Sequence, residues 1–282
     1  MTASRFAPSP SGRLHLGHAF SAVIGHHAAK SRGGEWKLRI EDLDPGRCRP
    51  EFVEGILQDI DWLGLTVDGT AIVQSTRTHL YSDALERLKA GGLVYPCFCT
   101  RADIAASLTA PHGDAGSAYP GTCRSLPDDE TRRATTPHSW RLDSLKAIGE
   151  VGLAGWREAD GSCHVASMDD IGDAILARKD APSSYHLACV VDDADTMVDL
   201  VARGEDLRSS TPIQRLLQRL LDLPEPTYLH HPLITHDDGR RLAKRDLAPT
   251  LAAMREAGTD GPALAAQLRL GALPLGFRLS RA

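Results

Sequence analysis

No apolar run in the 282-residue chain approaches the ~18 residues that a bilayer-spanning helix needs. The first residues, Met1-Thr2-Ala3-Ser4-Arg5-Phe6-Ala7-Pro8, lack the apolar stretch of a secretory leader, so no signal peptide is read there. Cysteine is sparse. The six thiols lie unevenly at positions 48, 97, 99, 123, 163 and 189, too few for a disulfide scaffold. That usage points to a reduced, cytoplasmic protein with one metal candidate. Positive charge is not in excess either: 32 Lys and Arg against 37 Asp and Glu leave a net charge of −5. A generally basic nucleic-acid binder is disfavoured, while a local basic patch remains open. Internal repeats and low-complexity tracts are absent. What is present, 42% hydrophobic and 24% charged residues, is ordinary for a globular protein. The length allows one large domain or two modest ones.

The first 70 residues alternate strand and helix. Arg5-Phe6-Ala7 reads as a short strand stopped by Pro8-Ser9-Pro10-Ser11-Gly12. A helix is predicted from about Gly17 to Ser31, with Phe20, Val23, Ile24 and His27 at 3–4 spacing and Gly33-Gly34 after it. Trp36–Ile40 is the next strand, and Pro50 opens a helix with Phe52, Val53, Ile56, Leu57, Ile60 and Leu63 on one stripe. This alternation predicts a parallel α/β sheet, whose ligands sit outside the strands' carboxyl ends. The loops 8–18 and 41–45 are then expected at one mouth. Residues 107–139 read as an irregular insertion bracketed by cysteines. Regular α/β patterning is expected to resume near Gly172-Asp173-Ala174-Ile175-Leu176. Ser184–Val191 reads as a helix-to-strand passage, 211–221 as an amphipathic helix, and 247–275 as two short helices.

Two motifs carry chemistry. His15-Leu16-Gly17-His18 sets two imidazoles around a glycine at a helix start. There, free N–H groups and the helix dipole favour phosphate, and Gly17 leaves room for a nucleotide to lie against the backbone. In isolation the pair could be two unremarkable histidines; the strand and Pro-Ser-Pro-Ser-Gly prefix weigh against that. Gly239-Arg240-Arg241-Leu242-Ala243-Lys244-Arg245 places four cations in six residues. Such a loop can hold a polyphosphate, or can simply be solvated.

Together, in this order, these motifs resemble the HIGH and KMSKS signatures of the class I aminoacyl-tRNA synthetases. The run from Arg5 to Ala19 is similar to the first motif of the glutamyl branch. Arg39–Pro45, Tyr95–Arg101, Val190–Asp193 and Val201–Leu207 resemble its later blocks, so the likeness spans about residues 4–250. It implies an α/β fold: a Rossmann-type parallel sheet with an inserted zinc-bearing subdomain and a short helical C-terminal segment. The expected division is 1–90 and 171–248 for the two catalytic halves, 91–170 for the insertion and 249–282 for the tail. The resemblance also implies roles. Arg5, Phe6, Ala7, Pro8 and Ser9 lie where the family meets L-glutamate, Glu41 where it engages the ammonium, and Tyr185 and Arg203 at its remaining glutamate positions. His15, Gly17, His18 and Lys244 fall at its ATP-binding and catalytic positions. The residue types fit, since an Arg fork suits a carboxylate and a carboxylate suits an ammonium. The bland readings are a solvated strand end for Glu41, core packing for Tyr185 and a neutralising surface residue for Arg203. Arg203 is the only cation among six acids from Asp192 to Asp206. The KMSKS-like loop Arg241-Leu242-Ala243-Lys244-Arg245 departs from the family, with Arg for the first lysine and Ala for the serine.

Cys97-x-Cys99 and Cys123 offer three thiolates for a tetrahedral Zn²⁺. The resemblance implies Tyr119 as the fourth ligand, with His112 in the same loop as the competitor. Such a closed site would be structural. Cys48, Cys163 and Cys189 read as ordinary thiols. Only 37 residues follow Arg245, too few for an appended anticodon-binding domain. The chain is therefore similar to the truncated paralogues of the branch, the glutamyl-queuosine tRNA(Asp) synthetases. That likeness implies activation of glutamate with ATP, assisted by Mg²⁺, without tRNA. Glutamate would then pass to queuosine in the tRNA(Asp) anticodon stem-loop. A monomer without membrane contact is expected. RNA contact would rest on local cations such as Arg208, Arg215, Arg219 and the 240–245 loop. The alternatives are a minimal synthetase charging a tRNA 3′ end, a small-molecule nucleotidyltransferase and a non-catalytic RNA-binding paralogue.

Overall fold

A computed structural model of the chain describes residues 2–100, 102–104, 119, 121–127, 129–240, 242 and 249–280. The chain runs through β1 (Ala3–Phe6), α1 (Leu16–Lys30), β2 (Glu35–Ile40), α2 (Pro50–Trp62), β3 (Ile72–Val73) and α3 (Thr78–Ala90). Next come β4 (Val94–Cys97), α4 (Glu130–Thr135), β5 (Ser139–Leu142), α5 (Ser144–Val151), β6 (Gly155–Arg157), β7 (Cys163–Val165) and β8 (Ile175–Ala177). The remainder is α6 (Tyr185–Asp195), β9 (Leu200–Gly204), α7 (Thr211–Leu220), β10 (Thr227–His231), β11 (Ile234–His236), α8 (Leu251–Glu256), α9 (Gly261–Arg269) and β12 (Phe277–Leu279).

Five strands form a parallel sheet in the order β10-β9-β1-β2-β3. β1 lies at its centre, with the chain passing outward to β2 on one side and to β9 on the other. The strand order therefore reverses beside β1, which opens a crevice at the carboxyl ends of β1 and β9. α1 begins where β1 ends, and buries Leu16, Ala19, Phe20, Val23 and Ala29. Gly25 lets this helix lie close to the sheet: a Cβ there would stand 3.4 Å from both the Ala202 Cβ and the Trp36 Nε1. α2 has Pro50 at its first position, where a missing N–H costs nothing, and turns Ile56 and Ile60 inward. One apolar core joins this sheet to α1, α2 and the C-terminal helices.

The second core lies under an antiparallel sheet, β4-β5-β8, and joins α3, α5, α6 and α7. Here several expectations are corrected. β8, at the point where α/β patterning was expected to resume, pairs antiparallel with β5. The next strand of the parallel sheet, β9, follows only after α6. Ser184–Val191 is no helix-to-strand passage, because Tyr185–Asp195 is one helix and the strand follows at Leu200. The 107–139 stretch holds a short helix at Glu130–Thr135, capped by Asp129. α7 buries Gln214, Arg215 and Gln218 as well as its leucines, since both of its sides face protein. The two C-terminal helices are present, with β12 added and paired to β11.

Candidate active site

The parallel register sets Ser9, Glu41, Arg203 and His231 along one edge of the sheet. There a cavity of about 490 Å³ is lined by Arg5, Phe6, Ala7, Pro8 and Ser9, by His15, Gly17 and His18, and by Glu41, Tyr185, Arg203 and Leu242. The described residues nominated for glutamate and ATP thus line one space. Arg241, Ala243, Lys244 and Arg245 lie outside the described residues. Leu242 itself lies at the cavity: its Cδ1 stands 4.0 Å from where a Cβ on Gly17 would be. Just beyond the loop, Leu251 N–H donates to the Leu14 carbonyl at 2.9 Å.

The two histidines cap α1. His15 Nδ1 accepts from Gly17 N–H, and His18 Nδ1 accepts from His15 N–H, each at 3.1 Å. With Nδ1 accepting, a neutral ring carries its proton on Nε2. Both rings are fixed by backbone, 3.8 Å apart between centroids. A Cβ at position 17 would lie 3.1 Å from the His15 ring.

Arg203, at the end of β9, is 4% exposed. Its Nε donates to His230 Nε2 at 3.0 Å, Nη1 to Gln214 Oε1 at 2.6 Å and Nη2 to Thr211 Oγ1 at 2.7 Å. Each of these acceptors is neutral. Among the described residues, no carboxylate pairs with it. A neutralising surface role is thereby ruled out, and two N–H groups, one on each Nη, remain for a ligand. Glu41 sits just past β2. Its Oε1 accepts from Arg39 Nη2 at 3.0 Å and Nε at 3.3 Å. Burial lifts its carboxyl above the ordinary value, against the pull of Arg39. Tyr185 opens α6, and burial raises its phenol, which stays protonated at neutral pH. Ser9 is exposed at the mouth.

Arg5 is committed differently from a simple ligand contact. Four of its N–H bonds go to protein: Nε to Asp193 Oδ1 at 3.0 Å, Nη2 to Asp193 Oδ2 at 3.4 Å, Nη1 to the Ala202 carbonyl at 3.3 Å and Nη2 to Cys189 Sγ at 3.8 Å. Asp193 also takes Arg39 Nη1. Burial would raise its carboxyl, but Arg39 and Arg5 overwhelm that and hold it well below the usual range. Asp192 beside it is fully buried and accepts from Gln74, Arg77 and Tyr81. Sequence reasoning quoted this Asp pair as part of a motif but gave it no role. Arg39 was likewise quoted within a motif without a role, and Glu158 and His230 were given none, since their partners lie far away in the chain. Among the nominated RNA-facing cations, Arg215 is corrected: it is 1% exposed and paired with Glu225. Arg208 is engaged by Glu205 and Glu158.

Away from the cavity, the Sγ atoms of Cys97, Cys99 and Cys123 lie within 4.8 Å of one another. Tyr119 Oη is 3.4 Å from the Cys97 sulfur and 3.6 Å from that of Cys99. Tetrahedral zinc with ~2.3 Å sulfur and ~2.0 Å oxygen bonds would space sulfur and oxygen by roughly 3.5 Å. The donor set fits such an ion. His112 lies outside the described residues. Cys48, Cys163 and Cys189 are unpaired thiols.

The family described as tRNA synthetases class I (E and Q), catalytic domain, matches residues 1–275. A Glutamyl-Q tRNA(Asp) synthetase of Rhodobacter capsulatus is 45% identical over 269 residues, covering 91% of this chain and 96% of that protein. The chain belongs to the glutamyl-Q tRNA(Asp) synthetase family. Another family member, from Nocardia farcinica, is 44% identical and covers 91% of this chain and 80% of its own. A solved glutamate tRNA ligase from Elizabethkingia meningosepticum, in complex with its amino acid, has a TM-score of 0.80 at 25% identity. That match covers 96% of this chain but only 60% of the other, so the chain spans about three-fifths of that enzyme's length. A glutamyl-Q tRNA(Asp) synthetase is a ligase of the class I aminoacyl-tRNA synthetase type, and the class I fold is the one seen here. Among the described residues, no helix is long and apolar enough to cross a membrane.

Proposed function

We propose that this protein activates L-glutamate with ATP, without tRNA, and transfers it to queuosine in the anticodon loop of tRNA(Asp). One observation carries the activation step: a buried Arg203 without a carboxylate partner, facing a cavity shared with Glu41 and the histidine pair. Arg203 supplies its two remaining N–H groups to a glutamate carboxylate, and Glu41 receives the ammonium. Tyr185 and Ser9 complete the polar wall, while Arg5 shapes its floor with Asp193. An oxygen of the α-carboxylate attacks the α-phosphorus of ATP, taken as its magnesium complex, and pyrophosphate leaves. His15 and His18 donate from Nε2 to phosphate oxygens as charge builds up there, and Lys244 adds a cation. A ring hydroxyl of queuosine then attacks the activated carbonyl, its proton is lost, and AMP departs. The acceptor rests on the names of the relatives.

Glutamate-dependent exchange of labelled pyrophosphate into ATP, without tRNA, tests the first step; its absence would refute it. Labelling of queuosine-containing tRNA(Asp), set against tRNA lacking queuosine and against tRNA(Glu), tests the second. Charging of tRNA(Glu) alone would favour the minimal synthetase. Two variants separate the ATP side. Lys244→Ala should cut exchange sharply. Gly17→Ala forces its methyl to within 3.1 Å of the His15 ring, so that ring must shift. Its KM for ATP is expected to rise about tenfold with the KM for glutamate unchanged, on the scale of ~1.4 kcal/mol per tenfold; equal KM values for wild type and variant would discard the assignment.

Cys97, Cys99, Cys123 and Tyr119 are proposed to hold one structural Zn²⁺, which would pin the insertion. Elemental analysis should find one zinc per chain. Chelation should lower the melting temperature, and Cys123→Ser should bind none. A fully zinc-loaded Cys123→Ser protein would remove this site.

A further inference from the structure

Arg203 is held from behind by a carboxylate that belongs to another part of the fold. Glu158 follows β6 in the insertion, yet its backbone is stitched to β10: it bridges Tyr228, and Ala159 N–H donates to the Tyr228 carbonyl at 2.7 Å. The Glu158 side chain is 6% exposed as a residue and collects four donors. Trp156 Nε1 reaches it at 2.9 Å, Arg208 Nη1 at 2.8 Å, His230 Nδ1 at 2.7 Å and His230 N–H at 3.3 Å. His230 meets Arg203 through its other nitrogen.

An arginine can only donate, so His230 Nε2 must accept, and the ring's single proton must sit on Nδ1. Glu158 is the group that receives it there. Burial, reinforced by the Arg203 charge, lowers His230 to about 4, so the ring is neutral at ordinary pH and its tautomer is the variable that matters. Without Glu158, a neutral ring can carry the proton on Nε2. It would then point an N–H at the Arg203 Nε–H, and the guanidinium would have to turn.

We propose that Glu158 and His230 form a relay that fixes the orientation of Arg203, and so makes the inserted subdomain set the glutamate affinity of the pocket. The proposal rests on the glutamate reading of that pocket. Both are positioning residues; neither lines the 490 Å³ cavity. The relay explains why a carboxylate lies so near a buried cation without pairing to it. Neutral His230 stands between them and passes on orientation, leaving the positive charge of Arg203 for the ligand.

The test is a double-mutant cycle read by glutamate-dependent pyrophosphate exchange, with KM for glutamate and for ATP measured separately. Glu158→Ala should raise the KM for glutamate at least tenfold and leave that for ATP unchanged. His230→Leu should do the same. His230→Gln keeps an oxygen that can accept from Arg203 Nε and has no tautomer to choose, so its KM should stay within about threefold of wild type. In the His230→Gln background, Glu158→Ala should then have little further effect. Should Glu158→Ala fail to fold by circular dichroism, Glu158→Leu, which also has no acceptor for His230 Nδ1, carries the same comparison. Equal KM increases from the Glu158 change in both backgrounds would overturn the relay, as would unchanged glutamate KM values, or parallel losses for ATP and glutamate. Wild-type protein without exchange would instead refute the glutamate reading itself.

Discussion

Replacing Arg203 by alanine is expected to lower kcat/KM for glutamate between about a hundredfold and a few thousandfold. The residue is a buried cation whose three protein partners are neutral. Among the described residues no carboxylate pairs with it, and losing one side of a buried pair with the proposed ligand carboxylate costs about 3–5 kcal/mol. The KM for ATP should hardly change, because the histidine pair is held by its own backbone bonds. Lysine should not rescue the variant. Its single ammonium cannot reach Thr211, Gln214 and His230 together and still present two parallel N–H groups. A second readout is thermal. Ligand that binds only the folded state raises the melting temperature, so saturating glutamate should stabilise wild type and leave Arg203→Ala where it was. An unchanged kcat/KM, or an undiminished glutamate-induced shift, would remove Arg203 from the pocket.

Asp193→Ala is expected to be the most destabilising of the single changes. The carboxylate neutralises Arg5 and Arg39, which are 6% and 1% exposed as residues. Without it, two guanidinium groups face each other in the interior with only Glu41 and Asp192 nearby. Stranding buried charge in this way costs about 3–5 kcal/mol. At a few degrees per kcal/mol for a chain of this size, the melting temperature should fall by about 10 °C. Calorimetry decides the matter, and a fall of less than 2 °C would show that the cluster relaxes without loss. The pH dependence has a definite sign. The folded-state pKa is depressed by Arg39 and Arg5 below the ~3.9 of an unfolded aspartate. The stabilisation is therefore complete above about pH 4 and drains away as the pH falls further. The gap between wild type and variant should narrow on acidification from that point.

The fit between these two residues explains a property of the pocket. Arg5 and Arg39 are balanced by protein carboxylates, whereas among the described residues none pairs with Arg203. From the sequence, all three are arginines at or near strand ends, with no mark to tell them apart. Asp193 is 188 positions from Arg5, and Glu158 is 72 positions from His230. Nothing in local spacing connects such pairs. Arg215 makes the same point in reverse: a cation on a seemingly polar helix face is buried, because the hairpin β6–β7 and the preceding loop pack against that side. β8 misled for a related reason. The short apolar run Ala174–Ala177 can serve either a parallel or an antiparallel sheet, and only the neighbouring β5 edge settles which.

By itself the sequence determined the local pieces: strand and helix periods, the proline that opens α2, the glycine between two histidines at the start of α1, and the cysteine spacing. These depend on contacts a few residues apart, so they can be read along the chain. Tertiary structure alone decided which charges are cancelled and which are left over. Among the described residues it left Arg203 without a carboxylate partner, and it brought Glu158 behind it through His230. Electrostatic pairing in a buried site depends on distance through space, and the parallel sheet is what converts residues far apart in sequence into neighbours across one edge.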